Sequence, residues 1–115
     1  MTPDQFQRRV GTWGERTFPD STLRSIMAHL REEVAELHDA VERQEVHDDI
    51  EERTTGAYRH EIAEEAADVL MLVLHLSHRC GFSLHHAARE KFAENQLRTW
   101  RDDGRGYAKH VEAQP

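Results

Sequence analysis

Glu61-Ile62-Ala63-Glu64-Glu65-Ala66-Ala67-Asp68 runs directly into Val69-Leu70-Met71-Leu72-Val73-Leu74-His75-Leu76, and this junction decides how the rest of the chain is read. In its first half, acids at 61, 64, 65 and 68 follow the i, i+3, i+4, i+7 rule of a single helical face. Its second half is apolar on every side, and a helix that is apolar all round is expected to be buried all round. The stretch predicts a helix over residues 57–80 with Gly81 as its C-cap. Its acidic stripe stops where the buried segment begins.

Working upstream, Pro19-Asp20-Ser21 reads as the cap of a long amphipathic helix. Its apolar positions Leu23, Ile26, Met27, Leu30, Val34, Leu37 and Val41 step by three and four. The pattern fades between Gln44 and Gly56, which predicts a frayed end and an exposed connector. A first helix is expected from Pro3 to about Arg16, with Thr2 as N-cap and Gly11 and Gly14 weakening its end. Downstream, Ser83 caps a fourth helix running from Leu84 to Trp100, and the tail after Asp102 reads as irregular.

No proline stands between Pro19 and Pro115, so nothing there forbids long helices. Six glycines are too few and too widely spaced for the frequent turns of a small β-sandwich. The expected fold is therefore all-α, four helices in one domain spanning residues 1–115. A chain of this length buries only about two-thirds of its unfolded surface, too little to enclose one helix with three others. The protomer is expected to be completed by oligomerisation, a second copy supplying the missing wall.

Composition excludes several classes of function. With 32% charged and 37% hydrophobic residues, no apolar run approaches the ~20 residues that span a bilayer, and the start of the chain has no signal-like apolar stretch. A cytoplasmic protein is expected. The one cysteine, Cys80, permits neither an intrachain disulfide nor a CxxC zinc knuckle. A net charge of −7, from 22 acids against 15 Lys and Arg, argues against direct nucleic-acid binding. The charges are uneven: acids dominate from Glu32 to Asp68, while Arg89, Lys91, Arg98, Arg101, Arg105 and Lys109 crowd the last quarter.

The acids form two clusters on two neighbouring helices. Glu33 and Glu36 lie on one flank of the stripe made by Leu30, Val34 and Leu37, while Glu32 points more nearly opposite. Glu65 and Asp68 close the acidic stripe next to the apolar segment. Like charges at this spacing destabilise a helix, and a carboxylate beside a buried segment must be paired or bind a cation. Four carboxylates without thiolate favour hard Mg²⁺ or Mn²⁺. Di-iron chemistry would require Glu-x-x-His on two helices, and no histidine here has a Glu three residues before it. His75, His78 and Cys80 have the spacing to grip a softer metal, but a lone cysteine with scattered histidines is more often packing and surface. Glu42, Glu45, Glu51 and Glu52 read as solvated. Lys91, Asn95 and Arg98 project in one line from the fourth helix, a cation–amide row suited to a polyphosphate. Trp13 and Phe18 are aromatics available to stack on a base.

The motifs Glu32-Glu33-Val34-Ala35-Glu36, Glu65-Ala66-Ala67-Asp68 and Lys91-x-x-x-Asn95-x-x-Arg98-x-Trp100 follow in that order. Together they resemble the all-α MazG-like nucleoside triphosphate pyrophosphohydrolases over roughly Trp13 to Val111. The segment from Trp13 to Pro19 and the closing Lys109-His110-Val111 are similar to the dATP/dGTP pyrophosphohydrolase branch. That branch includes phage enzymes supplying 2-aminoadenine DNA synthesis. The resemblance implies a four-helix protomer assembled as dimers or dimers of dimers, and hydrolysis of a dNTP to dNMP and pyrophosphate with two or three Mg²⁺. Glu33, Glu36, Glu65 and Asp68 would hold the metals. Glu32 would ligate an additional ion or orient the attacking water, with Glu33 its catalytic partner. Lys91, Asn95 and Arg98 would bind phosphates, and Trp13 the base. Two alternatives stay open on the residues: a dUTP or damaged-nucleotide hydrolase, and a non-catalytic acidic oligomerisation module.

Overall fold

A computed structural model describes residues 1–111. The elements are α1 (Pro3–Thr17), α2 (Leu23–Glu51), α3 (Arg59–Cys80), α4 (Leu84–Leu97), β1 (Thr99–Asp102) and β2 (Ala108–Val111). They fall into two compact units, Met1–Ser83 with α1 to α3, and a second from Leu84 onward. No helix among the described residues is long and apolar enough to cross a membrane.

In the first unit, α1 opens on a capping box: Gln5 N donates to Thr2 Oγ1 at 3.1 Å and Thr2 N donates to Gln5 Oε1 at 2.8 Å. It stops at Thr17 because Pro19 disfavours helical backbone at Phe18. The cap of α2 is Thr22 rather than the expected Pro19-Asp20-Ser21, with Ser25 N donating to Thr22 Oγ1 at 3.1 Å.

The connector expected from Gln44 is instead helical to Glu51, where Glu52 closes the helix in the left-handed region at φ 56°. The polar residues that interrupt the apolar period hold this extension. Asp48 Oδ1 accepts from Gln44 Nε2 at 2.7 Å, Thr55 Oγ1 at 2.7 Å and Thr55 N at 3.0 Å, while Gln44 Oε1 accepts from Tyr58 N at 2.7 Å. The Thr55 hydroxyl bond, foremost, holds the Asp48 carboxyl below its usual pKa. Residues 52–58 are thereby clasped to α2 as they turn into α3, which starts at Arg59.

α3 runs antiparallel to α2, since Glu36 lies near Glu65 whereas Arg43, further along α2, meets Glu61 at 3.2 Å. It also runs antiparallel to α1: Gln7 Nε2 donates to Phe82 O at 2.7 Å, Gly11 faces His78, and Gly14 faces His75. α1 runs on through Gly11 and Gly14 to Thr17, and the two glycines, poor helix formers, let it approach α3. A Cβ at Gly11 would lie 2.1 Å from His78 Cγ.

The core is small. Val10, Ile26, Ala40 and Leu74 are its buried apolar residues, and the fully buried Ser77 donates to Val73 O at 2.7 Å. The expected all-round burial of the apolar α3 segment is not met: Leu70 is 48% and Met71 37% exposed. Leu23, Met27, Val34 and Val41 of the α2 stripe are exposed as well. Two partner helices cover two faces of α3, and a third face stays open.

In the second unit, α4 ends at Leu97, short of the expected Trp100. The tail read as irregular is an antiparallel hairpin pairing Thr99 with Val111 and Asp102 with Ala108. Its turn is built by side chains: Gly104 N donates to Asp102 Oδ1 at 2.7 Å and Arg105 N to Asp103 Oδ1 at 2.8 Å, with Gly104 at φ 78° and Gly106 at φ 83°.

Candidate active site

Antiparallel packing of α2 on α3 brings the two acid clusters face to face. Glu33, Glu36 and Glu65 each offer a carboxylate oxygen within 4.8 Å of the others. Glu33 Oε2 and Glu65 Oε2 are buried without a hydrogen-bond partner. The outer members of the α3 stripe have side-chain partners, Glu61 meeting Arg43 at 3.2 Å and Glu64 meeting His60 Nε2 at 3.0 Å.

Burial, followed by the hydrogen bond and charge of Glu36 and the charge of Glu33, pushes the Glu65 pKa from 4.5 to about 7. Glu33 is raised as well, by burial first and then by the charges of Glu36 and Asp68. Asp68 is exposed and lines an open cavity of about 640 Å³ together with Glu33. Orphaned oxygens and crowded negative charge in an oxygen-only donor set fit a hard divalent cation, which would satisfy both. Glu32 is not brought into this cluster: its side chain is 71% exposed and faces His29 Nδ1 at 3.6 Å.

Trp13 and Phe18 line the same cavity, their rings edge-to-face at 5.5 Å. The spacing of His75, His78 and Cys80 does not assemble a metal site. His75 lines the cavity, His78 packs against Gly11, and Cys80 is exposed. His75 and Gly14 are among the cavity residues whose place the sequence reading missed. The available signal was the seven-residue step from Asp68 to His75, which puts both on one face of α3.

Lys91, Asn95 and Arg98 belong to the second unit. Arg98 stands just past the end of α4 and still donates from Nη1 to Asn95 Oδ1 at 3.3 Å. Glu94 pairs with both cations, meeting Lys91 Nζ at 3.7 Å and Arg98 more closely. Trp100 Nε1 donates to Asn95 O at 2.8 Å, tying β1 back to the helix end.

A dATP/dGTP diphosphohydrolase of Salmonella phage PMBT28 is 30% identical over 105 residues, covering 91% of this chain and 30% of the relative. The chain thus spans about 30% of the length of the curated relative it matches. Among solved structures, the cyanophage S-2L MazG-like pyrophosphohydrolase bound to dGDP and three catalytic Mn²⁺ ions per active site superposes with a TM-score of 0.70. Identity to it is 26%, over 97% of this chain and 99% of that one. The MazG nucleotide pyrophosphohydrolase domain pattern matches residues 21–98, which include α2, α3, α4 and every clustered carboxylate. On that match, and with its carboxylates gathered between α2 and α3, the chain belongs to the MazG nucleotide pyrophosphohydrolase family.

Proposed function

We propose that this protein is a metal-dependent pyrophosphohydrolase that converts a deoxynucleoside triphosphate, dATP or dGTP by preference, to dNMP and pyrophosphate. The observation that carries the reading is the Glu33, Glu36 and Glu65 cluster, with two buried oxygens lacking partners. The catalytic Mn²⁺ ions of the cyanophage structure, and its dGDP, agree with that chemistry and with a purine substrate. A non-catalytic acidic module has no use for orphaned carboxylates at a cavity wall, where unpaired charge costs stability.

Glu33, Glu36, Glu65 and Asp68 hold two or three Mg²⁺ or Mn²⁺ ions, which supply charge stabilisation for the attacking and leaving oxygens. A water molecule attacks the α-phosphorus and pyrophosphate leaves, so no serine or cysteine nucleophile is needed. Glu33, which lines the cavity with Asp68, is assigned a catalytic role beside the attacking water. Glu32, exposed and lying 3.6 Å from His29 Nδ1, is assigned to an additional ion or to orienting that water. Lys91, Asn95 and Arg98 bind the β- and γ-phosphates, and in doing so the cations exchange Glu94 for phosphate oxygens. Trp13 stacks on the base. With dGTP the product is dGMP, the monophosphate from which the route to 2-aminoadenine nucleotides suggested by the sequence resemblance would begin.

The enzyme is assigned to the cytoplasm, where its dNTP substrate is found, and to a homo-oligomer, dimer or dimer of dimers, whose second copy covers Leu70, Met71, Val34 and Val41. Pyrophosphate release screened over all natural dNTPs, including dUTP, tests the substrate class. Asp68→Ala is expected to abolish Mg²⁺-dependent release while far-UV circular dichroism stays helical. Turnover retained in this variant overturns the site assignment.

A further inference from the structure

Resting on the reading of the 640 Å³ cavity as the nucleotide site, we propose that His75, oriented by Glu15, selects bases bearing an exocyclic amine by accepting a hydrogen bond from that amine at Nδ1. His75 is only 5% exposed, yet it lines the cavity with Asp68. The two residues are seven positions apart on α3, hence on one face and about 10 Å apart along its axis. That separation matches the length of a nucleoside. An α-phosphate held at the carboxylates therefore delivers its base to the imidazole.

The surroundings of the ring choose its tautomer. His75 Nε2 is buried without a hydrogen-bond partner, and Glu15 Oε1 lies 3.5 Å from it. The other oxygen of Glu15 is held by Arg79 Nη1 at 3.3 Å, and Arg79 Nη1 in turn donates to Ser21 Oγ at 3.0 Å. A carboxylate accepts hydrogen bonds and donates none, so its approach favours the proton on Nε2. Nδ1 is left as an acceptor. A Cβ at residue 14 would lie 2.9 Å from Nδ1 and from Cε1 and 3.0 Å from Cγ, so the glycine is what lets α1 lie against that side of the ring, and both residues line the cavity. Adenine and guanine each present an amine that fits such an acceptor; uracil, thymine and hypoxanthine present none. His75 touches the base, and Glu15 is a positioning residue that acts through it.

The test measures kcat/KM in Mn²⁺ for two nucleotide pairs that differ only in the amine: dGTP against dITP, and dATP against the triphosphate of 2′-deoxynebularine. One hydrogen bond makes the amino-bearing member of each pair preferred about tenfold. His75→Leu is expected to bring both ratios close to one, mainly through KM. His75→Asn, whose Oδ1 replaces Nδ1 as acceptor, restores part of the preference, and Glu15→Gln, which no longer favours one tautomer, diminishes it. Should His75→Leu fail to fold, as judged by circular dichroism, the Asn and Gln variants carry the comparison. Ratios near one in the natural protein, or ratios unchanged in these variants, overturn the proposal. If no nucleotide is hydrolysed, the reaction assigned above fails on its own, and the same ratios are read as Kd from thermal shifts with Mn²⁺ and each nucleotide. Absence of both turnover and nucleotide binding overturns the site reading and this proposal together.

Discussion

Glu65 links the metal chemistry to pH. Its pKa stands near 7 in the folded chain against an ordinary 4.5, so folding favours its protonated form. Stability from this group is complete below pH 4.5 and is lost as pH rises through about 7, where the crowded charge appears. A divalent cation needs the deprotonated carboxylate and relieves the same crowding. The metal-free protein is therefore expected to lose melting temperature between pH 5 and 8, whereas saturating Mn²⁺ raises Tm far more at pH 8 than at pH 5. Glu65→Gln should flatten both trends; differential scanning calorimetry across that range checks them. Much of this site was legible in the sequence because carboxylate spacing on a helix is a local property. That Glu33 and Glu65 carry orphaned oxygens while Glu61 and Glu64 are paired depends on which residues face them, and no spacing rule contains that.

The same distinction holds for helices and their ends. The existence and order of all four helices follow from periodicity and caps, and Thr2 and Gly81 act where local chemistry put them. The C-terminal turns of α2 escaped because Gln44, Asp48 and Thr55 stabilise the helix through bonds to the connector rather than through an apolar stripe. The hairpin escaped because its turn rests on Asp102 and Asp103 side chains and two left-handed glycines, within strands of only four residues each. Gly11 shows the cost of reading a residue by helix propensity alone. Gly11→Ala gains intrinsic helix propensity of up to about 1 kcal/mol, yet it drives a Cβ to 2.1 Å from the root of the His78 side chain. Overpacking of this kind costs about 1–3 kcal/mol, so the net outcome expected is destabilisation. Urea denaturation should show a lower midpoint with little change in slope.

At the scale of the whole molecule, the first unit leaves Met27, Val34, Val41, Leu70 and Met71 exposed around a core of four buried apolar residues. The sequence had already implied such a shortage, since a helix apolar all round asks for more neighbours than this chain supplies. Sedimentation equilibrium is expected to return a multiple of the 13.4 kDa chain mass, and Leu70→Glu is expected to lower it. A monomer at micromolar concentration would remove the oligomer from the proposal while leaving the carboxylate cluster, which lies within one chain, as it is.

Gly14 joins two properties that evolution usually adjusts separately. The hydrogen that stands where other residues carry a side chain lets α1 settle on α3 and also sets how closely α1 lies against the His75 ring at the cavity. A mutation at this position is therefore pleiotropic, altering stability and base preference together. A lineage drifting toward other nucleotides would find its neutral routes at positions 15 and 75, with position 14 held in place by the fold itself.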